Sequence, residues 1–188
     1  VNVTSWTSGL KWLQALGSEG GIDGEPDGAA IAKPDFICMQ ELKCSSDKLF
    51  GSSISGGCST VQSQARVCGY MGNYTPATTG PGGNASAGTA VLVRSHIPIG
   101  ELKLPRDKHG QECPIPYEDV GRTTVCFARG GPRKGIVVVS TYLFSGLGNS
   151  EPNVKFLSDM AVWLRALGRP YIWGGDFQMS PAELGATG

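Results

Sequence analysis

An aspartate follows a pair of glycines near the end of the chain, in the sequence WGGDF over residues 173–177. The residues before it, 169–173, form a short apolar and aromatic run, which predicts a buried strand. Asp176 would then lie at the carboxyl end of a strand, where open α/β sheets bind their ligands. An aspartate that only shapes a turn has the same local pattern. The motif predicts an active-site carboxylate, with a structural turn as the alternative.

A second carboxylate ends a second apolar run, in the sequence KPDFICMQE over residues 33–41. A Pro-Asp turn leads into this strand, which stops abruptly at Gln40 and Glu41. A hard ion such as Mg²⁺ takes carboxylate oxygens and keeps several waters, so one or two carboxylates suffice. Glu41 is therefore the best candidate for a metal ligand in this sequence.

The remaining pattern predicts the elements that must position these carboxylates. β-Branched residues accumulate in three segments, which predicts strands at 88–94, 121–128 and 135–142. Apolar residues repeat at three- and four-residue steps over residues 151–167, which predicts an amphipathic helix that Gly168 ends. This helix and the strand ending at Asp176 make a βαβ unit. Further predictions are a strand at 1–6, a helix over 10–16, short helices within 42–50 and 60–68, a strand over 70–74, and loops over 17–28 and 75–87.

Six segments, taken in order along the chain, resemble the endonuclease/exonuclease/phosphatase superfamily, the metal-dependent phosphodiesterases related to exonuclease III. They are residues 1–6, 33–41, 87–93, 121–125, 137–142 and 174–177. The resemblance implies one α/β domain over residues 1–188, with the two-sheet sandwich fold of that superfamily. It also implies that the domain is partial and lacks its last strands, which would leave an exposed edge and apolar surface. Residues 34–45 most resemble apurinic-site endonucleases and their relatives encoded by retrotransposons.

The resemblance also implies roles for individual side chains. The principal metal ligand of the family matches Glu41, with Asn2 beside it and Gln40 supporting it, and the ion is Mg²⁺ or Mn²⁺. The aspartate that matches Asp176 aligns or activates the nucleophilic water, and the tyrosine that matches Tyr142 contacts the phosphate. Three alternatives stay open: Asn2 as a hydrogen-bonding group at a strand end, Gln40 as a capping amide, and Tyr142 as a packed core residue.

Three departures from the family pattern bear on activity. The position two after the aspartate is usually an asparagine that contacts phosphate, and here it is Gln178, whose amide lies one methylene further out. Residues 143–145 read Leu-Phe-Ser where the family has proline and asparagine, so any polar contact there falls to a serine hydroxyl. The family also ends in a strand with an Asp-His pair, and these 188 residues hold no such pair. We therefore expect a fragment without its general base, and we expect His96 and His109 to be surface residues.

Composition bounds the class of protein. The chain has 188 residues and is 40% hydrophobic, which is enough for one globular domain. Sixteen basic residues balance sixteen acidic ones, so phosphate binding must come from a local cluster or from bound metal. No apolar run reaches the roughly eighteen residues of a membrane span, so we expect no membrane contact. The six cysteines are expected to be reduced, although Cys44, Cys58, Cys68 and Cys113 could pair in an oxidising compartment.

These features predict a Mg²⁺-dependent phosphodiester hydrolase in the intact parent protein, acting on nucleic acid, with DNA favoured. We expect a monomer with an intracellular location, for which the nucleus is one option, and secretion is the less favoured alternative. A phosphatase for small phosphoesters or lipid headgroups is the alternative within the same superfamily. From a different class, the chain could be a catalytically dead remnant or a module that binds phosphate or metal. A basic face with stacking aromatic residues would favour nucleic acid, whereas an apolar rim would favour lipid.

Overall fold

A computed structural model of the chain describes residues 1–16, 32–50, 61–79, 85–130 and 135–185. The helices are α1 (Trp6–Ala15), α2 (Ser46–Phe50), α3 (Val61–Val67), α4 (Glu151–Leu167) and α5 (Pro181–Gly185). The strands are β1 (Phe36–Gln40), β2 (Tyr70–Thr75), β3 (Thr78–Thr79), β4 (Ala85–Ser86), β5 (Thr89–Arg94), β6 (Ile99–Gly100), β7 (Thr123–Ala128), β8 (Ile136–Tyr142) and β9 (Tyr171–Asp176). The predicted loop over 17–28 lies outside the described residues.

The strands form two main sheets. The first sheet has the order β1-β5-β2 and is antiparallel throughout. The second has the order β6-β7-β8-β9, in which β8 and β9 run parallel and the other pairs antiparallel. A small ribbon of β3 and β4 completes the described strands. This architecture confirms the predicted two-sheet α/β sandwich.

The central strands are apolar on both faces because each face lies against a different core. On β5, Leu92 packs in the core that α1 and α3 cover, while Val91 faces the second sheet. On β8, Val139 packs with α4, while Val138 faces the first sheet. All four of these side chains are fully buried, and burial of one such side chain contributes roughly 1.5–3 kcal/mol. The layers are therefore helices, sheet, sheet, helix.

Helix α4 connects β8 to β9 and covers the outer face of the second sheet. Its buried positions include Phe156, Met160, Trp163 and Leu164, at the three- and four-residue steps that the sequence showed. It ends at Gly168, whose φ of 62° lies in the left-handed region that glycine adopts readily. The bounds of α4 match the prediction. Because the crossover joins parallel neighbours, β8 and β9 present their carboxyl ends at the same edge of the sheet.

The start of the chain does not form the strand predicted for residues 1–6. Only Asn2 pairs, in a single parallel bridge with Gln40 of β1. The backbone then bends at Thr4, whose φ is 52°. Next to it, the Ser5 side chain accepts a backbone N–H from the first turn of α1. A serine in this position favours the start of a helix, so α1 begins where the strand was expected to end.

Two other segments differ from the prediction. The loop predicted over 75–87 contains the paired strands β3 and β4. The helix predicted within 42–50 begins only with α2, because the residues before it are bound to the segment that leads into β5. The N–H of Leu42 donates to the carbonyl of Gly88 at 3.0 Å, and the N–H of Lys43 donates to that of Ala87 at 3.2 Å. These bonds hold the chain in a non-helical path immediately after β1, with left-handed φ values of 59° at Glu41 and 51° at Lys43.

Strand β9 lies at the edge of the second sheet and is not the buried strand that its composition predicted. Tyr171 is 47% exposed and Ile172 is 44% exposed. One side of β9 pairs with β8, and within the described ranges no strand pairs with its other side. A strand at an edge keeps apolar side chains accessible. The prediction of burial was wrong because an apolar run does not reveal whether a strand has one neighbour or two.

Two further predictions concern membrane-spanning segments and the state of the cysteines. None of the described helices is both long enough and apolar enough to cross a membrane. The five cysteines in the described part of the chain are free thiols. Cys58 lies outside the described residues.

Candidate active site

The predicted site residues gather where β1, β8 and β9 end. In the second sheet, Tyr142 stands opposite Asp176 in the parallel register of β8 and β9. On the first sheet, Asn2 forms its bridge with Gln40, and Glu41 follows directly. Two hydrogen bonds then cross between the sheets, one from Tyr142 to Glu41 and one from Asn2 to Asp176. The structure therefore brings four of the predicted side chains together at one edge of the sandwich.

Glu41 has an unusual backbone conformation. Its φ is 59°, in the left-handed region that residues with a side chain seldom adopt. The next residue, Leu42, is buried and its N–H is bonded to Gly88, which fixes the turn from the far side. Such strain costs about 1–3 kcal/mol and is common at functional sites. Here the turn directs the Glu41 carboxylate away from β1 and toward Tyr142 of the other sheet.

The Tyr142 hydroxyl is held by two partners. It donates to a carboxylate oxygen of Glu41 and shares a second hydrogen bond with the hydroxyl of Ser145. Burial raises the pKa of Tyr142 and the bond to Glu41 raises it further, whereas Ser145 and the charge of Arg122 oppose the shift. The net shift is upward, so the phenol keeps its proton at neutral pH. Tyr142 can therefore act there as a hydrogen-bond donor.

Asp176 is oriented from two directions. The Nδ2 atom of Asn2 donates to one of its carboxylate oxygens, Oδ2, at 2.8 Å. The backbone N–H of Gln178 donates to the other, Oδ1, at 3.2 Å. Asn2 is itself held, since its Oδ1 accepts the N–H of Thr4 at 3.3 Å. The bend at Thr4 thus helps to aim the carboxylate of Asp176, which a straight strand over residues 1–6 would not do.

The two predicted glutamines occupy different surroundings. Gln40 is 2% exposed, and its Nε2 donates at 2.9 Å to the hydroxyl of Ser140 on β8. Gln40 therefore links the two sheets from the interior of the sandwich. Gln178 has a φ of 52° and contacts Asp176 through its backbone. The role of Gln40 beside a metal and a contact from the Gln178 side chain to phosphate remain predictions.

Neither histidine lies at this edge. His96 follows β5, whose last residues pair with the start of β1, at the opposite end of the strand from Glu41. His109 lies in a loop, where its N–H donates to Asp107 at 2.8 Å. Both histidines are exposed, as predicted. The described segments also contain no group of three histidine, cysteine, aspartate or glutamate residues placed to hold a metal ion.

A sequence model described as the Endonuclease/Exonuclease/phosphatase family matches residues 10–183. The chain belongs to the endonuclease/exonuclease/phosphatase family. The matched range contains Glu41, Tyr142 and Asp176, while Asn2 precedes it. Family membership confirms the resemblance seen in the sequence, to a superfamily whose members are phosphoesterases. No curated protein sequence matches the chain.

Two solved structures are similar to this chain. The crystal structure of ANGEL2, a 2',3'-cyclic phosphatase, has a TM-score of 0.51 and 14% sequence identity, covering 78% of this chain and 40% of ANGEL2. The crystal structure of TDP2 from C. elegans has a TM-score of 0.43 and 14% identity, covering 80% of this chain and 40% of TDP2. At this identity the likeness to ANGEL2 concerns the fold alone. The chain spans about 40% of the length of either structure.

Members of the endonuclease/exonuclease/phosphatase family generally use a divalent metal, and the residues present fit a hard ion. The available donors are carboxylate oxygens of Glu41 and Asp176 and the amide oxygen of Asn2. Mg²⁺ completes its shell with water and substrate phosphate, so it needs only one or two protein carboxylates. A carboxylate has about four acceptor positions, and the hydrogen bond from Tyr142 uses one of those on Glu41. The small number of acidic groups is therefore compatible with Mg²⁺ or Mn²⁺.

Three polar residues outside the predicted site support Tyr142. The guanidinium of Arg122 lies 5.2 Å from the centre of the Tyr142 ring, and its Nη1 donates to the carbonyls of Tyr142 at 3.1 Å and Leu143 at 2.9 Å. Burial lowers the pKa of Arg122. Ser145 bonds the Tyr142 hydroxyl, and Asn153 fastens the loop that carries Ser145. The one sequence signal for Asn153 was a polar residue on the apolar face of a predicted helix.

Replacing Gly175 with alanine should destabilise the protein by about 1–3 kcal/mol, as overpacking does in a tight core. A Cβ at this position would lie 2.3 Å from the carbonyl oxygen of Thr141 on the neighbouring strand, so backbone would have to move. Gly174 is the matched control, because its Cβ would meet the Cys38 side chain at 3.2 Å, and a side chain can shift. Urea unfolding of both variants measures the difference. Equal losses would show that the contact with β8 does not limit residue 175.

Proposed function

We propose that the intact protein is a hydrolase of phosphodiesters in nucleic acid, with DNA as its substrate and Mg²⁺ or Mn²⁺ as its cofactor. The observation that carries this proposal is a pair of hydrogen bonds that cross between the sheets at the candidate site. One joins Tyr142 to Glu41 and the other joins Asn2 to Asp176, at adjacent strand ends. This arrangement sets a neutral donor, an amide and two carboxylates around one edge, a set of groups that suits phosphodiester hydrolysis with a divalent ion.

Each side chain has a distinct task in this proposal. Glu41 and the amide oxygen of Asn2 would hold the ion. The ion supplies positive charge that neutralises the phosphate and stabilises the leaving oxygen. Tyr142 keeps its proton, and when substrate binds, its single O–H turns from Glu41 to donate to a phosphate oxygen. Asp176, already aligned by Asn2, accepts a hydrogen bond from the attacking water and orients it toward phosphorus.

The choice of nucleic acid has separate support. Residues 34–45 resemble apurinic-site endonucleases and retrotransposon-encoded relatives more than other branches, so a DNA duplex with an abasic site is the first substrate to test. The formal net charge of +0 gives no general attraction for a polyanion. Binding should therefore depend on the metal and on contacts close to the scissile phosphate, and cleavage should be selective for a particular DNA structure.

An assay with two substrates tests the proposal. The intact protein is incubated with an end-labelled duplex that carries one abasic-site analogue, and separately with an RNA oligonucleotide that ends in a 2',3'-cyclic phosphate, the group named for ANGEL2. We expect nicking of the duplex with Mg²⁺ or Mn²⁺, loss of nicking with EDTA, and recovery when excess metal is added. Hydrolysis of the cyclic phosphate alone would replace the endonuclease assignment with a phosphatase. No hydrolysis of either substrate would overturn the proposal.

A further inference from the structure

The loop after β8, residues 143–150, is fastened by one buried side chain. Asn153 lies in the first turn of α4 and is 0% exposed. Its Oδ1 accepts the N–H of Phe144 at 2.8 Å. Its Nδ2 donates to the carbonyl of Phe144 at 3.1 Å and to the carbonyl of Gly148 at 2.9 Å. Every one of these partners is a backbone group of the loop.

The position of Asn153 is unusual for a polar residue. It lies on the face of α4 that also buries Phe156, Leu157 and Met160. An amide buried there without partners would cost about 1–3 kcal/mol, and an apolar side chain would suit the helix better. The hydrogen bonds of the Asn153 amide go to the backbone of Phe144 and Gly148. The amide therefore fixes the conformation of the loop.

That loop delivers a hydroxyl to the active site. Asn153 bonds both backbone groups of Phe144, and Ser145 is the next residue. The Ser145 hydroxyl in turn bonds the hydroxyl of Tyr142. The Phe144 ring is fixed as well, since the guanidinium of Arg122 lies 4.2 Å from its centre. A chain of direct contacts therefore leads from a buried helix residue to the phenol.

We propose that Asn153 is a positioning residue for the active site, which sets the place of the Tyr142 hydroxyl through Phe144 and Ser145. The catalytic readout of this inference rests on the function proposed above. Its structural readout does not, because the hydrogen bond on Tyr142 exists without substrate. Asn153 itself touches neither substrate nor metal in this scheme.

A double-mutant cycle provides the catalytic test. Asn153→Ala should lower kcat by about tenfold, the lower range for residues that orient a ligand from behind, and should change KM by less than about twofold. In a Ser145→Ala background the same substitution should lower kcat by less than about twofold, because the link is already cut. Asn73→Ala is the matched control, since the Asn73 side chain also bonds a backbone carbonyl, that of Val125 at 2.7 Å. Equal losses in both backgrounds would overturn the proposal.

A second measurement needs no turnover. Proteins labelled with ¹³C at tyrosine Cζ are compared by NMR, with the Tyr142 resonance identified by its loss in Tyr142→Phe. Asn153→Ala should move that resonance in the same direction as Ser145→Ala, whereas Asn73→Ala should leave it in place. If Asn153→Ala does not fold, Asn153→Asp keeps the acceptor for Phe144 and removes both donors. An unmoved Tyr142 resonance in a folded variant would reduce Asn153 to a structural residue.

The two proposals fail in different ways. A wild-type protein without hydrolytic activity, but with the expected shift of the Tyr142 resonance, would refute the proposed function and support the positioning role of Asn153. An active wild-type protein with additive losses in the double-mutant cycle would support the proposed function and refute the positioning role of Asn153.

Discussion

Replacing Glu41 with glutamine should lower the rate of metal-dependent cleavage by about 10³-fold or more. A metal ion contributes several kcal/mol of charge stabilisation in the transition state, and about 1.4 kcal/mol corresponds to a factor of ten in rate. Glutamine keeps the size of the side chain and can still accept a hydrogen bond from Tyr142, so the fold should persist. What it removes is the negative charge that would hold the ion in the proposed site. The cleavage rate is measured with increasing Mg²⁺ and Mn²⁺.

Glu101→Gln is the matched control for this experiment. It makes the same chemical change at an exposed residue that follows β6, on the side of the second sheet away from β9. We expect wild-type cleavage and wild-type dependence on Mg²⁺ from this variant. Retention of Mg²⁺-dependent cleavage in Glu41→Gln would refute the assignment of the metal site.

The second large effect is expected at Asp176. Asparagine in its place should lower kcat by about 10²–10⁴-fold, the range that a positioned acid or base contributes. The substitution removes the charge that, in the proposed mechanism, attracts a proton from water. It also disturbs the local bonding, because Asn2 and the backbone of Gln178 both donate to the carboxylate, and the new NH₂ group must face one of these donors.

Two variants separate the chemistry of Asp176 from its surroundings. Asp119→Asn changes an exposed aspartate and should leave kcat unchanged. Asn2→Ala removes the donor at 2.8 Å and keeps the carboxylate. Because it also removes the amide oxygen proposed to hold the ion, it is measured at saturating Mg²⁺, where it should lower kcat by a smaller factor of about 10–100. A loss in Asp176→Asn no larger than that in Asn2→Ala would show that the carboxylate has no role beyond its hydrogen bonds.

Local sequence patterns correctly predicted the helices and strands whose buried residues recur at regular spacing. Helix α4 has the predicted bounds because its apolar residues recur at helical spacing against a flat sheet. Strands β7 and β8 were predicted within two residues, since β-branched side chains fill both faces of a central strand. The two-sheet arrangement itself came from the family resemblance, because periodicity within one strand does not state which strand it pairs with.

The predictions that failed depend on neighbours distant in sequence. The strand expected over residues 1–6 was lost to the cap at Ser5 and the bend at Thr4, which local apolar residues do not reveal. The edge position of β9 depends on pairing outside its own sequence. Asn153 was missed because its three bonds reach back to Phe144 and Gly148, and nothing in a helical pattern indicates such partners.

The two sheets come from separate stretches of the chain. Strands β1, β2 and β5 all precede residue 95, and strands β6 to β9 all follow residue 98. Asn2 and Glu41 therefore belong to one half of the polypeptide, and Tyr142 and Asp176 belong to the other. A cut in the connector between the halves would leave each piece with half of the candidate active site. After such a cut, the proposed hydrolysis would require the two fragments to reassemble, as the fragments of a split enzyme reporter do.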